Sequence, residues 1–351
     1  MNVVLILGNG FDRNLDMPTS YEEFAKYYYN LEKSDKWIQI FQDELRKIFG
    51  EKPQYNHRPE PIRTNAPVPI TISGTFLGDN WVDLELFMGD FANTLEKFLP
   101  LPKDLAEAYK TVCADVRDEL TKYLKEIDKR EIPSNLRESF CKDICEIDKH
   151  IDGNGLAQKF ATFSKPNEIN LNVVTFNYTS FADRIFSEGK GIQHKGKVLH
   201  INKVLHPHGS VFSEGGIILG VNGYGQIHSN GIQRKEEIRA LVEKPFLAQT
   251  AQHRDYFNSQ NLINKAELII IYGASLGNSD ATWRTLIKDK EVSGSCVVLA
   301  YYNTDETSND LVNRAQHSIR MKSNILETFQ LDSIDKKNYY SISTDDFFKI
   351  R

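Results

Sequence analysis

Five consecutive apolar residues, Val3 to Leu7, run straight into Gly8-Asn9-Gly10. An alternating pattern would give a strand with one wet face. This run leaves neither face polar, as in a strand buried on both sides of a parallel sheet. The glycines permit a tight turn out of the strand. Pro18-Thr19-Ser20 then leads to Tyr21, and Ser20 and Glu23 have the spacing of a helix capping box, so helix follows strand. The apolar opening is much shorter than a signal-peptide core or a membrane span, and no other run approaches about 18 apolar residues.

The second half of the chain returns to strands. Leu171 to Phe176, Val198 to Ile201, Val204 to His206, Gly216 to Leu219, Leu268 to Tyr272 and Cys296 to Tyr301 are short β-rich runs, several of them separated by helical patterns. Tyr339 to Ser343 reads as an edge strand. Such alternation predicts an α/β fold, Rossmann-like, with a mostly parallel sheet flanked by helices. Earlier in the chain, Lys36 to Phe49 is amphipathic, and Pro53, Pro59, Pro61, Pro67 and Pro69 crowd an irregular loop. From Trp81 to about Phe163 apolar residues recur at helical steps. Pro100 and Pro102 are expected to end the first of these helices, and Leu105 to Ile127 and Leu136 to Ile151 to form two more. The expected organisation is a Rossmann domain from residues 1–50 and 166–351, with a Pro-rich loop plus helical insertion at 51–165.

Lys and Arg number 43 against 48 Asp and Glu, a formal charge of -5, so the positive field that drives non-specific nucleic-acid binding is absent and nucleic acid is not an expected partner. Cys113, Cys141, Cys145 and Cys296 are too scattered for a disulfide frame, which favours a reducing, cytoplasmic setting.

Several strand ends carry residues suited to chemistry. In Gly8-Asn9-Gly10-Phe11-Asp12, glycines would let backbone N–H groups approach a pyrophosphate, although Arg13 stands where the third glycine of the dinucleotide fingerprint belongs. A bare strand-to-helix turn would use the same glycines. Asn177, in Thr175-Phe176-Asn177-Tyr178-Thr179, falls at the carboxyl end of an apolar run; its amide can hold a water or a carboxamide, or serve as a helix cap. Leu205-His206-Pro207-His208-Gly209-Ser210 places His208 before a flexible glycine, and an imidazole titrating near ~6.5 is the candidate base. His194, His200 and His206 lie nearby, but no companion spacing matches a zinc motif, so no metal is expected. Gly273 and Ser275, in the turn that runs on to Asp280, could donate to a ribose or phosphate. Glu85 sits at a helix start, where first-turn acids favour the helix dipole, and is a further site candidate.

Taken in order, Gly8-Asn9-Gly10-Phe11-Asp12 with Pro18-Thr19-Ser20-Tyr21, Trp81-Val82-Asp83-Leu84-Glu85, Thr175-Phe176-Asn177-Tyr178-Thr179, His206-Pro207-His208-Gly209 and Gly273-Ala274-Ser275-Leu276-Gly277 resemble the AbiH abortive-infection family, associated with bacterial defence against phage. More distantly, the same order is similar to sirtuin-like domains, which set a Gly-rich first turn, an Asn-containing strand end, a His-Gly pair and a Gly-x-Ser turn around NAD. That resemblance implies Asn177 and His208 as catalytic residues and Gly8, Gly10, Gly273 and Ser275 as cofactor-contacting positions. Asn9, Phe11, Asp12, Glu85, Gly209 and Asp280 complete the expected cofactor-binding set. The sirtuin strand-end motif usually carries Asp two residues after its Asn, where this chain has Thr179. The two Cys pairs of a sirtuin zinc module are also missing: only Cys141 and Cys145 are close.

The implied activity is NAD glycohydrolysis with release of nicotinamide, NAD or a related nucleotide being the partner. His208 would act on water or a ribose hydroxyl, Asn177 would orient that water, and Asp12 or Glu85 would balance charge on the sugar. A non-catalytic nucleotide-sensing module and a nuclease in phage defence are the alternatives. Constitutive loss of NAD would poison the host, so a latent state is expected, relieved by a phage-derived trigger or rearrangement of a homo-oligomer. No membrane partner is expected.

Overall fold

A computed structural model describes residues 1–50, 84–99, 101–150, 168–189, 191–292, 296–301, 319, 323, 326–329, 339–343 and 347–348. The strands are β1 (Asn2–Leu7), β2 (Glu168–Thr175), β3 (Ile192–His194), β4 (Lys197–Leu205), β5 (Leu268–Tyr272), β6 (Cys296–Tyr301) and β7 (Tyr339–Ser343). They form one sheet in the order β3-β4-β2-β1-β5-β6-β7. Every pairing is parallel except that of β3 with β4, which form a hairpin.

As the unbroken apolar runs require, β1 beyond Asn2 and all of β5 are buried. Successive side chains of a strand point to opposite faces, so each run feeds two cores. Val3, Leu5, Leu7, Leu171, Val173, Leu268 and Ile270 enter one core. Helices α2 (Tyr21–Tyr28), α3 (Lys36–Phe49), α4 (Leu84–Glu96), α5 (Pro102–Ile127) and α6 (Leu136–Cys145) contribute to the same core, as does α9 (Glu236–Val242). Val4, Ile6, Val174, Ile269 and Ile271 enter the other, against α10 (Lys244–Thr250), α11 (Arg254–Lys265) and α12 (Ala281–Val292). The short helices α1 (Asn9–Asn14), α7 (Ile147–His150) and α8 (Phe181–Ile185) are also among the described residues. Helices α4, α5 and α6, which come next after the Pro-rich segment, thus share a core with one face of the sheet. Among the described residues, no helix is long and apolar enough to cross a membrane.

Local signals behave as their physics dictates, with four corrections. The Ser20 hydroxyl accepts from the Glu23 N–H and the Glu23 carboxylate accepts from the Ser20 N–H, closing the expected capping box. Pro102 opens α5 instead of ending α4: its missing N–H is one of the orphans of a first turn, and its fixed φ suits that place. The segment expected as one helix from Leu136 divides at Glu146 into α6 and α7, and Ile151 lies outside the described residues. Val198 to Ile201 and Val204 to Leu205 fall in one strand, β4, with His206 just past its end, and a register shift against β2 accommodates the polar Asn202-Lys203 step. Gly216 to Leu219 is no strand. Gly209, Gly216 and Gly220 all take positive φ, and the curved segment makes only an isolated bridge, Gly209 to Ile217. The Pro-rich stretch and Trp81 to Asp83 lie outside the described residues.

The register sets Leu7 beside both Thr175 and Tyr272, and Val174 beside Leu205, so the carboxyl ends of β1, β2, β4 and β5 lie level. The turns after β1 and β5 then touch. A Cβ added at Gly273 (φ +65°) would stand 2.6 Å from the Gly10 backbone. Gly273→Ala is therefore expected to cost about 3 kcal/mol of stability, from left-handed strain plus a backbone clash. Urea unfolding measures it, and a loss under ~0.5 kcal/mol would contradict this packing.

Candidate active site at the carboxyl edge of the sheet

Beyond those level strand ends, the segments 8–12, 176–179, 206–209 and 273–277 come together at the edge where open α/β sheets bind ligands. The side chains there form two connected groups.

The first is built on Asp12, which is 1 % exposed. Asn177 Nδ2 donates to Asp12 Oδ1 at 2.7 Å and to the Gly8 carbonyl at 3.1 Å, and the Thr179 hydroxyl donates to Asp12 Oδ2 at 2.7 Å. Burial pushes the Asp12 carboxyl up to about 7, against the pull of the Thr179 and Asn177 hydrogen bonds. On the far side of Asn177, His206 Nδ1 donates to the Asn177 carbonyl at 3.1 Å, and its Nε2 pairs with Asp183 Oδ2 at 2.9 Å. Burial opposes a charged imidazole at His206, but Asp183 outweighs it and holds the pKa above the ordinary value.

The second group is built on Lys244, a residue the sequence reading passed over. Its ammonium lies 2.8 Å from Glu85 Oε2 and 2.8 Å from Asp280 Oδ1, with side-chain exposures of 3 %, 4 % and 18 % for the three residues. Backbone pairing fixes it there: the Val221 N–H donates to Val242 O and the Lys244 N–H donates to Val221 O. Burial opposes the ammonium, but Asp280 and Glu85 outweigh it and hold its pKa above the usual lysine value. The same attraction holds Asp280 below the carboxylate range despite burial. Glu85 Oε1 also accepts from the Gly220 N–H at 3.3 Å.

His208 closes this group. It stacks on Phe176 with ring centres 5.0 Å apart, and its Nε2 lies 3.5 Å from Asp280 Oδ1. The Trp283 indole N–H, which can only donate, is 3.3 Å from the same nitrogen, so Nε2 accepts and the imidazole proton sits on Nδ1. Burial and then the Lys244 charge push His208 down to about 3, leaving it neutral.

The glycine turns meet each other. The Gly8 N–H donates to Tyr272 O at 3.0 Å and the Gly10 N–H to Gly273 O at 2.9 Å, so neither amide points to a ligand. Added Cβ atoms at Gly8 and Gly10 would lie 2.4 Å from Ala274 Cα and 2.6 Å from Gly273 Cα. Phe11 is buried in the core, and the Asn9 side chain accepts from the Thr19 hydroxyl. Asn9, Gly10 and Gly273 keep partial exposure and Ser275 is exposed, whereas Gly209 is buried with its N–H on His206 O. Cys141 and Cys145 are buried in the core as free thiols. Among the described residues no three His, Cys, Asp or Glu side chains are grouped to hold a metal.

Lys244 sits in no recognisable motif, and Thr179, although inside the Asn177 cluster, reads from sequence only as a departure from the sirtuin-like pattern. The only signal was indirect: two acids bound for a buried edge, Glu85 and Asp280, require a cation between them.

Two outcomes follow from these groups. Lys244→Met leaves two buried carboxylates facing each other and is expected to cost ~3–5 kcal/mol near neutral pH, less in acid, by thermal or urea unfolding. A loss under ~1 kcal/mol would contradict the pairing. Asp12 has a folded pKa above its unfolded one, so its contribution is fully present below ~4 and is lost as pH rises through about 7. Between those pH values the stability of the native protein should fall relative to that of Asp12→Asn, by ~4 kcal/mol at most. Parallel stability curves for the two proteins would contradict it.

No curated protein matches the chain significantly. A family model described as bacteriophage abortive infection AbiH matches residues 4–302, a span that runs from β1 into the residues after β6 and includes every side chain of both groups. The chain belongs to this AbiH family, and abortive infection against bacteriophage is its broad role.

Proposed function

We propose that this protein carries out its part in abortive infection as an NAD glycohydrolase that releases nicotinamide. The observation that carries the reading is the pairing of Asp12 with Asn177: a buried carboxyl near neutrality, gripped by an amide at the ligand-binding edge of the sheet. Breaking the nicotinamide–ribose bond places positive charge on the sugar, and the step needs a carboxylate to balance that charge and a base for water. The water oxygen bonds to the ribose C1′ as the C1′–nitrogen bond breaks, and a water proton passes to Asp12. Each Asp12 oxygen spends one lone pair on Asn177 or Thr179 and keeps another. In the distant resemblance to sirtuin-like domains, Thr179 stands where an Asp is usual. Its hydroxyl donates to Asp12, so the turn after β1 supplies a carboxylate at that place.

The base role read from the sequence for His208 is better filled by Asp12, because the Nε2 of His208 is taken by Trp283 and a pKa of about 3 makes a weak acceptor. His208 and Phe176 instead present stacked flat surfaces. Glu85, Asp280 and Lys244 together carry one net negative charge, which favours a sugar cation at this edge. Asn9, Gly10, Gly273 and Ser275 are where a pyrophosphate would lie. A second reading, a nucleotide-sensing module without turnover, is favoured by the internal commitment of the Gly8 and Gly10 amides and of His208. The same commitments suit an enzyme held latent until a phage component releases it.

The test is nicotinamide release from NAD by purified protein, with and without lysate from infected cells. Release is expected to fall at least ~100-fold in Asp12→Asn and Asn177→Ala, and less in His208→Gln. In the native enzyme kcat should rise with pH to a plateau above about 7, as Asp12 ionises. Binding of NAD without release under either condition would leave the sensing module as the answer.

A further inference from the structure

One cavity is lined by His206, whose ring holds the Asn177 carbonyl, and takes no part in the chemistry above. It has a volume of about 460 Å³ and opens past the end of β4, with His206, Asp183, Asp255, His253, Ser180 and Phe212 on its walls. That volume falls in the range of small-molecule sites. Among the described residues neither Lys nor Arg lines it, and the His206 ring is already paired with Asp183, so an anion finds no free countercharge there.

Its acceptors are arranged for hydroxyl groups. Asp183 uses Oδ2 to hold His206 Nε2, and Asp255 uses Oδ2 to accept the His206 N–H at 3.2 Å. The Oδ1 atom of each makes no hydrogen bond among the described residues, which leaves two carboxylate oxygens for a ligand. Both carboxylates are set by His206, whose carbonyl in turn accepts from His253 Nε2 at 2.9 Å. Above them Phe212 is 59 % exposed, an aromatic face of the kind on which a heterocycle stacks. Two carboxylates, two imidazoles and an aromatic rim describe a site for a hydroxylated ligand with a flat ring and no phosphate at that point.

We propose that this cavity binds the nucleoside part of the substrate, with the vicinal ribose hydroxyls donating to Asp183 and Asp255 and the base lying on Phe212. The inference rests on the nucleotide reading and deepens it by saying which part of the ligand goes where. Through His206, which also holds the Asn177 carbonyl, a filled cavity bears directly on the residue that grips Asp12.

The experiment measures binding without turnover, by calorimetric titration of the full chain with adenosine and with 2′,3′-dideoxyadenosine. Adenosine is expected to bind at least about tenfold more tightly than the dideoxy compound. The preference should disappear in Asp255→Asn and in Asp183→Asn, and Phe212→Ala should weaken both ligands alike. Phe98→Ser, at an exposed position on the helical side, should change nothing. Equal affinity for the two nucleosides, no binding of either, or an unchanged preference in Asp255→Asn would each overturn the proposal. Unfolding midpoints of the variants show whether each is folded, and Phe212→Ala, at an exposed side chain, remains informative if an Asp variant is not. Nicotinamide release with an unaltered KM in Asp255→Asn would sink the cavity and spare the hydrolase; a nucleoside preference in a protein that never releases nicotinamide would do the reverse.

Discussion

The amide of Asn177 donates both its protons, one to the Gly8 carbonyl and one to the Asp12 carboxyl, and so fastens the turn after β1 to the end of β2. The strands behind it are buried on both faces and locked in parallel register, so neither end can slide to relieve a poor contact. A carboxyl placed there is withdrawn from bulk solvent whatever its charge. Its ionisation is decided by the few donors within reach, Asn177 and Thr179, against the cost of desolvation. That balance leaves Asp12 titrating where a proton can be taken and returned at cellular pH.

Three consecutive residues carry this arrangement outward. Phe176 stacks on His208, Asn177 holds Asp12, and the Tyr178 hydroxyl donates to Ile218 O while lying 3.4 Å from Glu85. The two polar groups of the edge are thus joined through one short segment at the end of β2. Lys244 stabilises the second group at a distance from the first. Buried pairs of this kind contribute little net stability, but removing one partner is costly, so the ammonium's main effect is to hold the Glu85 and Asp280 carboxylates in place. A fixed negative charge beside a flat aromatic wall suits a cationic ring or sugar.

Much of the fold was legible because its signals are local or periodic. The run from Val3 to Leu7, the amphipathic Lys36 to Phe49 and the Ser20–Glu23 box each specify their structure through neighbours a few residues away. Failures came where the same residues have two uses. Pro102 can stop one helix or start the next, and Gly216 to Leu219 has strand composition but is bent by glycines at positive φ. At the site, the strand ends could be read because apolar runs point to them. The charge partners could not, since Lys244 meets Glu85 across 159 residues and Asn177 meets Asp12 across 165. Nor could sequence say that the glycine turns pack on one another, which only the adjacency of β1 and β5 creates.

The claim on which the rest depends is that Asp12 is a clamped, desolvated carboxyl that changes charge near neutrality. It is tested most directly by following the Asp12 carboxyl carbon by ¹³C NMR as pH is varied, with the signal assigned by its loss in Asp12→Asn. The account predicts a midpoint of about 7. A midpoint in the ordinary range near ~4 would contradict it, by showing a carboxyl whose charge burial does not penalise.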